Sequence, residues 1–117
     1  NFQRDLLELG NAYSEAGLPL QARAIFKSTL TGRGENLDTL FNYAISSAQS
    51  GNPGEARKIY LEILEKRPGY ADARNNLGIL EAQAGRLEPA REYFRSGFQD
   101  NAANTDASLN LAITWLL

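Results

Sequence analysis

Ala71-Asp72-Ala73-Arg74-Asn75-Asn76-Leu77-Gly78, followed at fixed distances by Gly85, Ala90 and Phe94, decides the fold of this chain. Moved back by 34 residues, the same marks fall on Tyr43 and Ala44, Gly51, Ala56 and Tyr60. Moved back again, they fall on Leu9 and Gly10, Gly17, Ala22 and Phe26; moved forward, they meet Leu111 and Ala112. Three contiguous units (3–36, 37–70, 71–104) and a partial fourth (105–117) are thus present without insertion. A fixed period of this length identifies a stacked repeat architecture, in which each unit buries its apolar face on its neighbours.

Within a unit the spacing predicts two helices. Leu6, Leu9, Gly10 and Tyr13 recur at three- and four-residue steps, the stripe of an amphipathic helix. Gly17 follows where a left-handed cap is wanted, and Pro19 stands at the entrance of a second helix carrying Ala22, Ile25, Phe26, Thr29 and Leu30. In the second unit Leu40, Tyr43, Ala44 and Ser47 line the first helix, Asn52-Pro53-Gly54 reads as a turn, and Ala56, Ile59, Tyr60, Ile63 and Leu64 line the second helix up to Pro68. Leu77, Gly78 and Glu81, then Ala90, Tyr93, Phe94 and Phe98, repeat the arrangement, and 106–117 begins a seventh helix. The small residues are expected to let paired helices approach, with Phe26, Tyr60 and Phe94 filling the space between units.

Composition narrows the chemistry. The chain has 117 residues, with neither cysteine nor histidine, which removes disulfides, thiolate nucleophiles and the commonest zinc ligands and general bases. A net charge of −2 argues against a nucleic-acid surface, and no apolar run is long enough for membrane insertion. No cofactor and no catalysis are expected. Without a starting methionine and ending in mid-pattern at Trp115-Leu116-Leu117, the chain reads as a fragment of something longer, and its compartment, cytoplasm or periplasm, stays open.

The order Leu-Gly, Gly, Ala, Phe/Tyr, Pro over 34 residues resembles the tetratricopeptide repeat. The resemblance implies an all-α, right-handed superhelix of seven antiparallel-stacked helices, whose first helices line a concave groove for an extended peptide or partner segment. Transferred residue by residue, it gives a groove of Asp38, Phe41, Asn42 and Ile45 from the second unit and Asp72, Asn75, Asn76 and Ile79 from the third, with Asn11 from the first and Asn110 from the fourth. Departures occur at the eleventh position, where the family's tyrosine survives as Tyr13 but becomes Ser47, Glu81 and Trp115. With departures also at the fourth position (Leu6, Leu40, Arg74, Ser108) and at the closing proline, kept only as Pro68, looser packing is expected at some joints.

Asn42, Asn76 and Asn110 form the sharpest constellation, each four residues after Asp38, Asp72 or Asp106 and so on one helix face with it. An asparagine amide offers a donor and an acceptor together, the pair that clasps a peptide unit. The series is similar to the asparagine ladder in the repeat superhelix of O-linked N-acetylglucosamine transferase, though nothing like that enzyme's catalytic domain accompanies it. The aspartates equally suit the positive ends of helix N-termini. Ile45, Ile79 and Ile113 form a parallel apolar row. The carboxylate clamp of some family members needs cations where Leu7, Asp72 and Asn76 stand, so that mode is not expected. Arg23, Arg57 and Arg91 read as a solvated series paired with acids rather than a phosphate stripe. The functional expectation is a protein-interaction module. A substrate-recruiting arm of a larger enzyme such as a glycosyltransferase, or a scaffold that self-associates through its repeat ends, are the alternatives.

Overall fold

The computed structural model describes residues 2–30 and 36–100. Among them are six helices and no strand: α1 (Phe2–Glu15), α2 (Pro19–Thr29), α3 (Leu37–Gln49), α4 (Pro53–Lys66), α5 (Ala71–Gln83) and α6 (Leu87–Asp100). The expected seventh helix, with Asn110, Ile113 and Trp115, lies outside the described residues. The chain divides into two compact units, Asn1–Ile59 and Tyr60–Leu117, with the division inside α4.

The turns between paired helices follow from one backbone device used three times. Gly17, Gly51 and Gly85 take φ of 77°, 90° and 82°, where a Cβ would be strained. The next residue's N–H then reaches back five residues: Leu18 to the Tyr13 carbonyl (2.9 Å), Asn52 to Ser47 (2.8 Å) and Arg86 to Glu81 (2.8 Å). With the 3.0–3.2 Å bonds from each glycine N–H, this is the Schellman closure that satisfies the last carbonyls of a helix. Pro19 and Pro53 start α2 and α4, where a missing N–H costs nothing. Of the Asn52-Pro53-Gly54 cluster only Asn52 lies outside the helix, after the turn at Ser50 and Gly51; Pro53 and Gly54 already belong to α4. α6 closes at Asp100.

In the first unit α2 packs against both α1 and α3. Its Phe26 is 1% exposed, and the reason for Gly10 is direct: a Cβ there would lie 2.7 Å from Phe26 Cε1 and 2.9 Å from Cζ. In the second unit Phe94 presses on Gly78 in the same way, with Cδ1 2.7 Å from where a Cβ would stand. Phe26 and Phe94 therefore also pack on the first helix of their own repeat. A glycine is needed because the ring edge occupies the place of the side chain.

The predicted stripe of α3, Leu40, Tyr43, Ala44 and Ser47, is buried in full. Leu77, Gly78 and Glu81 of α5 are buried likewise. The matching stripe of α1 is not. Leu9 is 43% exposed, and Phe2, two turns earlier, is 77% exposed. The physical reason is that α2 covers α3, whereas no described helix precedes α1.

Candidate functional site

The residues expected to line a groove sit on the first helix of each repeat, beside the buried stripe rather than in it. On α3, Phe41, Asn42 and Ile45 are half-buried, between the core row and the exposed Asp38. On α5, Asn76 and Ile79 are half-buried and Asp72 is exposed. Asn11, on α1, is exposed. Asn75, expected in the groove, is buried and engaged in the fold. No described helix is long and apolar enough to cross a membrane, and no metal-binding cluster of acidic residues occurs among the described residues.

The aspartates occupy helix starts. Asp38 lies in the first turn of α3 and Asp72 in that of α5, where a carboxylate complements the unpaired N–H groups. At α3 the cap itself is Asn36, whose Oδ1 accepts from the Asp38 N–H at 2.7 Å. Asp38 also has a partner of its own.

The asparagines are not equivalent. Asn76 Nδ2 donates to the Tyr60 hydroxyl at 3.2 Å, tying α5 to α4 within the second unit. Tyr60 is 2% exposed, and burial pushes its hydroxyl up to about 12, against a small opposing effect of the Asn76 bond. The hydroxyl therefore stays protonated through the physiological range. The same 16-residue step back from Asn42 falls on Phe26, which has no hydroxyl. Among the described residues Asn42 makes no side-chain hydrogen bond. Sequence periodicity missed this distinction, although one letter at the twenty-fourth position, Tyr among two Phe, carried it.

The eleventh position is also unlike its expectation. Ser47 and Glu81 are 0% and 2% exposed, so these joints are closed rather than loose. Polar pairs fill the volume of the missing tyrosine. Ser47 Oγ donates to Glu55 Oε1 at 2.7 Å, and Arg23 grips the same carboxylate with Nε (2.7 Å) and Nη2 (2.9 Å). The Arg23 bond is the largest influence holding the Glu55 carboxyl down at about 2, with Ser47 and the Tyr43 hydroxyl adding to it against burial. Arg23 is raised in turn, chiefly by its bond to Glu55. Tyr43 is raised by burial first and by the neighbouring carboxylate second. In the second unit Arg86 Nε and Nη2 bind the two oxygens of buried Glu81 at 3.1 and 2.9 Å, which raises the Arg86 guanidinium. Arg91 pairs with Glu88 at 2.6 Å, and Arg57 is engaged as well. Arg23 and Arg91 of the arginine series are thus paired with acids.

The sequence pattern of the tetratricopeptide repeat matches residues 7–71 and again 44–104. The chain belongs to the tetratricopeptide repeat family. Among curated proteins none matches it. Among solved structures it is similar to the tetratricopeptide domain of Sgt2 from Aspergillus fumigatus, at 20% identity and a TM-score of 0.88, covering 99% of this chain and 78% of that one. The first such domain of Spaghetti (RPAP3), bound to the HSP90 peptide SRMEEVD, matches at 18% identity and a TM-score of 0.89, covering 97% and 90%. PcrH, in complex with the chaperone-binding region of PopB, matches at 17% identity and a TM-score of 0.81, covering 98% and 93%. At these identities the likeness to each tetratricopeptide structure is one of fold.

Proposed function

We propose that this chain is a protein-interaction module that holds an extended peptide or partner segment along the first helices of a right-handed repeat superhelix. One observation carries the reading. On α3 the apolar and amide row Phe41, Asn42 and Ile45 is left half-open directly beside a stripe that is fully buried. Half-open apolar side chains next to amide groups suit a ligand that needs both dispersion contact and backbone hydrogen bonds. Structures of the same fold that hold a peptide of HSP90 or a region of PopB support the same kind of use.

Asn42, Asn76 and Asn110 would grip the ligand backbone, while Phe41, Ile45 and Ile79 would meet its side chains, and Asn11 would extend the row. Asp38 and Asp72 serve mainly their helix N-termini, and their charge favours a neutral or basic segment. An acidic tail such as SRMEEVD is a poor match, because Leu7, Asp72 and Asn76 stand where the clamp of such tails has cations. The work is binding rather than catalysis. A second reading, assembly through repeat ends, draws on the exposed Phe2 and Leu9 of α1.

Replacing Asn42, Asn76 and Asn110 by alanine tests the groove. Each lost hydrogen bond is worth about 0.5–1.5 kcal/mol, so affinity for unrelated peptides selected on the wild-type chain should fall together by tenfold or more. The melting temperature should fall by only a few degrees, reflecting the Asn76–Tyr60 bond. A destabilised triple variant with unchanged affinity would end the reading.

A further inference from the structure

The Tyr60–Asn76 bond is present once in the described chain, at a place where the repeat pattern offers it three times. Phe26 and Phe94 hold the equivalent position of Tyr60 in the first and third repeats and have no hydroxyl. Tyr60 is itself fixed: its ring is 2% exposed, and it has a further interaction beyond the Asn76 bond. A half-buried asparagine amide bonded to such an anchor is restricted in its torsions. Its second N–H donates to nothing and its Oδ1 accepts from nothing among the described residues. They remain available to a further hydrogen-bond partner.

We propose that Tyr60 is a positioning residue for ligand binding: its hydroxyl pre-orders the Asn76 amide, making this rung rigid while Asn42 must be ordered by the ligand. The inference rests on the groove reading above. Freezing a side chain on binding opposes association, so a rung already held costs the complex less. The ligand-side consequence is a peptide unit held first at Asn76. Tyr60 would touch no ligand atom.

Tyr60→Phe is the natural variant, since phenylalanine already serves the same position in two repeats. Two measurements use the intact chain. In the first, without ligand, the side-chain NH2 resonances of Asn76 and Asn42 are followed in wild type and Tyr60→Phe by nitrogen-edited NMR. The Asn76 pair should show slower hydrogen exchange and higher order than Asn42 in wild type, and should become like Asn42 in the variant. Unchanged Asn76 signals would overturn the proposal and leave the groove reading standing.

The second measurement is a double-mutant cycle on affinity for twelve-residue peptides selected from a random display library on the wild-type chain. Tyr60→Phe should weaken binding about two- to fivefold when Asn76 is present. It should do nothing further in an Asn76→Ala background, and should act independently of Asn42→Ala. A loss that persists without Asn76 reflects general structural damage and overturns the proposal. Should no library peptide bind the wild type, the groove reading falls, and the positioning role falls with it even if the NMR difference is found.

Discussion

Converting Glu55 to glutamine removes one charge from the Arg23–Glu55–Ser47 cluster while keeping its shape. The folded carboxyl is held at about 2 rather than its ordinary 4.5. At about 1.4 kcal/mol per pKa unit this is roughly 3 kcal/mol of preference for the ionised form. The Arg23 and Glu55 side chains are 23% and 30% exposed, and solvent screening reduces the contribution to about 1–2 kcal/mol. Because the folded carboxyl ionises at lower pH than the unfolded one, this stability is complete above about 4.5 and drains as pH falls toward 2. At pH 7 the variant should therefore unfold at a urea concentration lower by about 1 M, taking a slope of roughly 1–2 kcal/mol/M. The gap should have lost more than half its size by about pH 3, where the unfolded carboxyl is almost fully protonated. Urea titrations of both proteins from pH 7 to pH 2 measure this directly. A gap that keeps its pH 7 size at pH 2 would refute the reasoning, because it would assign the loss to packing rather than charge.

Gly78→Ala should lower stability by about 1 kcal/mol, the overpacking of roughly 1–3 kcal/mol against Phe94 being partly offset by about 1 kcal/mol of better helix propensity. A raised melting temperature would contradict the ring-on-glycine contact. Asn36→Ala should cost about 1 kcal/mol through loss of the α3 cap and speed hydrogen exchange at the Asp38 amide, whereas Asn36→Asp should keep both. Equal exchange in all three proteins would mean that the cap does not hold the helix start.

The repeat itself was legible because its marks do one physical task at a fixed register. Gly85 adopts a left-handed turn, Gly78 makes room for Phe94, and Ala90 is fully buried; each task admits few residues, so the letters recur. The half-buried state of Asn42, Ile45, Asn76 and Ile79 agrees with helical spacing, which sets them beside the core stripe, while their reading as a groove came from the family resemblance. Periodicity failed where a side chain depends on a partner that is not repeated. Arg23 looks like Arg57 and Arg91 in register, but its partner Glu55 is 32 residues away, and the same position holds Gln21 and Pro89 in the flanking repeats. Ser47 and Glu81 looked like weakened packing because each was compared with the tyrosine it replaces. Neither could be matched in advance to the charged partner that makes it fit.

The Arg23–Glu55 tie also bears on how such an array can change in descent. Arrays of equal units are prone to lose or gain a unit by recombination in register, and a period without insertions makes that event silent for the helices. It would not be silent for the joints. Excision of residues 37–70 would bring Pro89 to the place of Glu55, leaving Arg23 without its carboxylate, and would bring Glu81, already held by Arg86, to the place of Ser47. The same event would set Asn76 sixteen residues behind Phe26 instead of Tyr60. The units are interchangeable in backbone and individual in their polar contacts, so their order is inherited as a set.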